Sequence, residues 1–225
     1  MVWWPELWRR IKQDAGLKAL GIPVFMALFF VGYFFVADHP DFPVTMMPLT
    51  GLDHLIGFEP WALGLYASLW IYVTLPPALM GERRELVIYG GAALVLSLAG
   101  MFFFFFWPTA TPRPNIDWAR YPSYAFLKTV DQARNACPSL HVAFAVFSGF
   151  WLDRILVRIR ARPWLRGLNI LWGLGIIYST MATKQHVALD AYAGAGLGSL
   201  VAAMHYFSLD RVISPVAGNV AVRQE

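Results

Sequence analysis

The sequence predicts an all-α, polytopic membrane protein: a six-transmembrane helix bundle with an amino-terminal interfacial helix. Three observations carry this. The 225 residues are 58% hydrophobic and only 14% charged, where a soluble domain carries about 25% charged residues. Six apolar runs come near the ~20 residues that a helix needs to cross the hydrocarbon core. The lysines and arginines are shared unequally between alternate loops. No polar stretch is long enough to fold separately, so residues 20–207 read as one six-span domain. Residues 1–19 form an amphipathic interfacial segment, and 208–225 a cytoplasmic tail.

Taken in order, Trp3, Trp4 and Trp8 stand beside Arg9, Arg10, Lys12 and Lys18, the indole and cation mixture of a headgroup region. The next apolar run is long and ends at no small-residue cleavage site, so it reads as a span and not a signal peptide. The six runs are 20–37, 61–80, 86–107, 138–156, 168–182 and 187–207. Five consecutive phenylalanines at 102–106 are lipid-facing or core bulk. The fifth run is short. The sixth carries Gly194, Gly196 and Gly198 with alanines between, a surface that lets a neighbouring helix approach closely in lipid. The single cysteine, Cys137, excludes an intramolecular disulfide. The net charge of +4 suits anionic lipid and gives no reason to expect nucleic acid.

An even number of spans puts both termini on one side. Thirteen lysines and arginines lie on that side, in the amino-terminal segment, the 80–86 and 154–167 loops and the tail. The opposite side holds Arg113, Arg120, Lys128, Arg134 and Lys184. The richer side is expected to be cytoplasmic. His141, at the start of the fourth run, and His186, at the start of the sixth, then meet on the outer face with the long 108–136 loop.

Ionisable groups at membrane depth are functional by default. His186 and Asp190 are four apart and share a helix face. The carboxylate can take the Nδ1 proton of His186, leaving Nε2 as nucleophile or base, while His141 protonates a leaving oxygen. One histidine attacking and one acting as acid suits cleavage of a phosphate ester through a phosphohistidine. Pro138 and Ser139 are expected in the first turn of the fourth helix, where free amides and a hydroxyl cradle an anion. Arg113, between two prolines, can grip phosphate with parallel hydrogen bonds, and Lys184 supplies a second cation. Asp53 and His54 read as loop or capping residues. A zinc site would need a closely spaced second ligand beside His141, and none is present; no metal and no cofactor are expected.

These residues resemble the type 2 phosphatidic acid phosphatase superfamily, whose signature is Lys-x6-Arg-Pro, Pro-Ser-x-His and Ser-Arg-x5-His-x3-Asp. Pro138-Ser139-Leu140-His141 completes the second part. The third reads Ser179-Thr180-x5-His186-x3-Asp190, with Thr180 in place of the arginine. The first reads Phe106-x6-Arg113-Pro114, with Phe106 in place of the lysine. The resemblance covers about residues 61–207. It implies His186 as nucleophile, Asp190 as its orienting partner, His141 as proton donor, Arg113 and Ser139 as phosphate ligands, and no metal. The two missing cations are similar to the pattern of the inositol phosphorylceramide synthase-like branch, where a lipid hydroxyl and not water attacks the phosphohistidine. The expected substrate is a phospholipid or isoprenoid phosphate in the bilayer. A non-catalytic binder of anionic lipid and a small transporter with a charge relay are the competing classes.

Overall fold

A computed structural model describes residues 3–124 and 135–213, with side chains to His205. Lys128 and Arg134 of the outer loop, and residues 214–225 of the expected tail, lie outside the described residues.

The chain is mostly helical. Helix α1 spans Trp3–Lys12 and α2 spans Ala15–Asp38. The expected interfacial segment therefore breaks at Gln13 and Asp14, where Asp14 takes a left-handed φ of 51°. Lys18 stands inside α2 and is buried, not among headgroups. The second run is two short helices, α4 (Ala62–Ala67) and α5 (Leu69–Leu79), joined at Ser68 after the short helix α3 (Gly51–Leu55). Helix α6 (Arg83–Phe106), α7 (Leu140–Arg158), α8 (Pro163–Ala182) and α9 (Ala188–Ile213) complete the order. Helix α8 starts earlier than the apolar run suggests because Pro163 suits the first helical position, where a missing N–H costs nothing.

Among the described residues, four stretches are long and apolar enough to cross a membrane: Ala15–Asp38, Ala62–Leu79, Arg83–Phe106 and Leu140–Arg158. Several such helices make this an integral membrane protein. Their burial by protein differs sharply. None of the apolar window of α2 is buried, against 56% of that of α7. Helix α7 is thus the axis of the bundle, with α5, α6, α8 and α9 packed around it, and α2 lies outside as an added wall. One core joins Leu96, Phe104, Phe147 and Trp151 to Phe25, Phe29 and Tyr33 of α2. A second joins Leu69, Tyr72, Leu152 and Ile176.

Helices α7 and α9 approach each other closely. A Cβ added at Gly194 would collide with the Ser139 carbonyl, and one at Gly198 with the Ala143 carbonyl. Gly196, grouped with them on sequence, faces open space. Gly198→Ala is therefore expected to force the helices apart at about 1–3 kcal/mol, while Gly196→Ala is neutral or stabilising, since alanine gains up to about 1 kcal/mol in a helix interior. Thermal unfolding of the two variants in detergent checks this contrast.

The end of the bundle that carries the two histidines departs from the all-α expectation. Thr45–Met46 (β1) pairs in parallel with Thr109–Ala110 (β2). Prolines 43, 48 and 108 keep these segments extended, and the pairing satisfies backbone groups that the bundle cannot reach. The Ala136 amide donates to the Thr109 carbonyl and the Cys137 amide to the Thr109 hydroxyl at 2.7 Å. The chain entering α7 is thereby tied to the strand pair.

Candidate active site

Helix α7 begins at Leu140, not at Pro138. Ser139 is its N-cap, and its hydroxyl accepts the Val142 amide at 3.3 Å. That oxygen is spent on the cap, and Ser139 is fully buried. His141 then falls in the first turn of α7. The Ser139 amide donates to the backbone carbonyl of Asp190 at 3.0 Å, which joins the starts of α7 and α9 directly.

His186 is placed by a reversal. After α8 the chain turns through Lys184 at a φ of 59°, and the Thr180 carbonyl accepts the amides of both Gln185 and His186. Asp190 sits in the first turn of α9, where one carboxylate oxygen, Oδ2, accepts the Val187 amide at 3.0 Å. The same oxygen lies 3.6 Å from Nδ1 of His186. This is ion-pair range but too long for a hydrogen bond, and the other carboxylate oxygen has no hydrogen-bond partner among the described residues.

The two histidines come together across 45 positions, with His141 Nδ1 at 3.2 Å from His186 Nε2. On its other side, Nε2 of His141 lies 2.7 Å from the Tyr66 hydroxyl of α4. One proton arrangement fits the two close contacts: Tyr66 donates to His141 and His141 Nδ1–H donates to His186 Nε2, with His186 Nδ1–H facing Asp190 at 3.6 Å. The polar row lies in a low-dielectric setting, where each such interaction gains strength.

The other residues singled out from sequence divide. Arg113 is exposed and does not line the cavity that holds the histidines. Its segment is nevertheless docked beside them, since the Thr111 hydroxyl donates to the Gln185 carbonyl at 3.4 Å. Lys184 turns away. Its ammonium donates to the carbonyls of Asp53 and Ile56, at 3.3 and 2.5 Å. Phe106, at the motif lysine position, is 53% exposed. Thr180, at the motif arginine position, is fully buried and donates its hydroxyl to the Ile177 carbonyl. Neither position brings charge to the site. Burial pushes the Cys137 thiol up to about 11, with Asp190 adding to the shift, so it is no nucleophile.

Tyr66 and Asn135 were not foreseen. Asn135 is buried, with a φ of 56°. Its amide nitrogen has no hydrogen-bond partner among the described residues, and it lines the cavity with both histidines. A buried unpaired amide costs about 1–3 kcal/mol, which marks it for a ligand. The signal was a polar residue two positions before Cys137 in a left-handed turn, a conformation asparagine tolerates.

Asp53 holds the assembly from the short helix α3. Its carboxylate accepts the Ala188 amide, at the start of α9, at 2.8 Å, and the amide and hydroxyl of Thr50. Burial pushes this carboxyl up, but the Thr50 amide and hydroxyl, the Ala188 amide and the Lys184 charge together hold it below its ordinary value. The folded value being the lower one, the stabilisation is complete above the ordinary pKa of about 3.9 and is lost as pH falls through the depressed value. Asp53→Ala strands the Ala188 and Thr50 amides and is expected to cost about 1–3 kcal/mol at neutral pH, read as a lowered denaturation midpoint.

No curated protein and no solved structure matches the chain. A family model does: that of the PAP2 superfamily, over residues 86–212. The match begins in α6, contains His141, His186 and Asp190, and leaves α1 to α5 outside. Members of this superfamily are phosphatases or phosphotransferases. With more than half of its length matched, the chain belongs to the PAP2 superfamily.

Proposed function

We propose that the protein cleaves the phosphate ester of a membrane lipid through a phosphohistidine on His186. The observation that carries this is the 3.2 Å approach of His141 Nδ1 to His186 Nε2 beside an apolar cavity. The phosphoryl group enters between the two rings, which part to admit it. The Nε2 lone pair of His186 forms the bond to phosphorus as the bond to the lipid oxygen breaks. His141, as imidazolium, gives its Nδ1 proton to that oxygen and is left neutral. Water then attacks the phosphohistidine and gives its proton to His141, which restores both residues. Asp190 faces Nδ1 of His186 and favours the positive charge that develops when Nε2 attacks.

The phosphate ligands we assign are Arg113, the Ser139 hydroxyl proton and the Asn135 amide. Lys184, whose ammonium is held by two carbonyls, contributes through the turn it fixes. A site with one guanidinium and an uncharged amide is weakly cationic. That favours, as a second reading, transfer of a phospho-headgroup to a lipid hydroxyl, because a phosphodiester carries less negative charge than a monoester. Six spans, with both termini cytoplasmic and the histidines at the outer face, complete the proposal; the length of α8, about 30 Å at ~1.5 Å per residue, supports the count.

Purified protein in detergent, given phosphatidic acid, a polyprenyl phosphate and a phosphoinositide, tests the reading. Free phosphate reports hydrolysis. A new phosphodiester lipid on addition of ceramide or diacylglycerol reports transfer. No turnover of any substrate, and no difference between the wild type and His186→Ala, leaves only anionic-lipid binding.

A further inference from the structure

A cavity of about 330 Å³ lies between α2 and the facing sides of α5, α6 and α7. At one end it is lined by Asn135, His141, His186 and Tyr66. At the other it is lined by Leu17, Lys18, Pro77 and Leu86, which stand where α2 and α6 begin and α5 ends. Along α2 the wall runs from Leu17 to Phe34, about 25 Å at ~1.5 Å per residue. That is most of the ~30 Å hydrocarbon thickness and well past the ~15 Å of one leaflet. Between its ends the wall is almost wholly apolar, with Phe25, Phe29, Phe30 and Phe144 prominent.

The far end is closed without leaving a charge exposed to the cavity. The Lys18 ammonium has three protons, and they go to the carbonyls of Arg10, Ala78 and Met80 at 2.6, 3.1 and 2.8 Å. Those bonds stitch α1, α2 and the end of α5 together across the floor. The cavity is an elongated apolar tube, open along part of its wall, with phosphate chemistry at one end.

We propose that this tube holds the hydrocarbon of the substrate and selects lipid phosphates with a chain long enough to reach past the bilayer midplane. The inference rests on the phosphoryl-transfer reading of His141 and His186. Length decides the class: along α2 the wall runs about 25 Å, past the ~15 Å of one leaflet. The chains of a two-chain phospholipid span one leaflet and need no tube deeper than that. Helices α2 and α5, which build much of the wall, lie outside the matched residues 86–212. Gly21 and Gly90 line it, and a Cβ at either would meet nothing within 4 Å. Larger side chains there enter the tube without touching the packed core.

Two measurements on the full chain test this. In the first, phosphate release is followed from single-chain polyprenyl monophosphates of increasing length and from a diacylglycerol monophosphate. The specificity constant is expected to rise with chain length until the tube is filled, and to be lower for the two-chain lipid. Gly21→Leu and Gly90→Leu are expected to reduce the ratio of long-chain to short-chain turnover at least about tenfold, the burial of roughly two methylenes. An unchanged ratio in both variants, or preference for the two-chain lipid, overturns the proposal. The second measurement needs no turnover. A single-chain lipid phosphate with a diazirine at its chain end is photolysed in His186→Ala protein. Labelling of residues 17–25 or of α6 near Gly90, competed by unlabelled polyprenyl phosphate, is expected. Labelling confined to the lipid-facing outside of the bundle overturns the tube. Labelling within it by a protein that releases no phosphate supports the tube and counts against the proposed reaction alone.

Discussion

His186→Ala is expected to lower turnover by about four orders of magnitude or more and to remove any covalent phosphoenzyme. The residue is irreplaceable in the proposed chemistry because its Nε2 forms the bond to phosphorus. The surrounding geometry leaves no substitute. Cys137 is buried with its thiol pushed up to about 11, and the Ser139 oxygen is occupied by the Val142 amide. Folding should survive. The His186 backbone is fixed by the Thr180 carbonyl, and its ring makes no hydrogen bond on the Nδ1 side among the described residues. Near-native thermal stability with activity gone separates the loss of a nucleophile from the loss of a fold.

His141→Ala is expected to cost about 10²–10⁴-fold in turnover of a lipid phosphate, and its signature is a dependence on the leaving group. A proton donor matters when the departing oxygen is a poor alkoxide. It matters little for a nitrophenolate, which leaves unprotonated. Turnover of an aryl phosphate should therefore fall far less than that of a lipid phosphate. Equal losses on both substrates would move His141 from acid to positioning residue. Tyr66→Phe bears on the same residue. It removes the 2.7 Å partner of His141 Nε2 while keeping the ring contact at 4.8 Å, so its effect should be smaller and confined to the substrates that need the acid.

The site was legible in sequence where local spacing carries geometry. His186 and Asp190 are one helical turn apart, and Pro138-Ser139 marks a helix start; both features survive in three dimensions, although the helix starts at Leu140. The meeting of His141 and His186 followed from placing both at run ends on one side. What escaped was long-range or depended on a competing partner. Tyr66 reaches His141 across 75 positions, and nothing periodic links them. Lys184 looks like a phosphate ligand because it is a cation two residues from His186. The turn it occupies aims its ammonium at the Asp53 and Ile56 carbonyls instead. Lys18 is similar: an amphipathic pattern suggests a headgroup lysine, but three carbonyls at the end of the bundle capture it. The fold followed the same division. Apolar runs located the helices, and the β1–β2 pairing of two-residue segments has no pattern long enough to read.

The most direct test of the central claim is to trap the covalent intermediate. Protein is mixed with a lipid phosphate radiolabelled at phosphorus, quenched within a turnover in alkali and digested. The expected result is label that withstands base and is released by acid, on the peptide that contains His186, and absent from His186→Ala. Label on another residue, or none in a protein that is turning over, would contradict a phosphohistidine at His186.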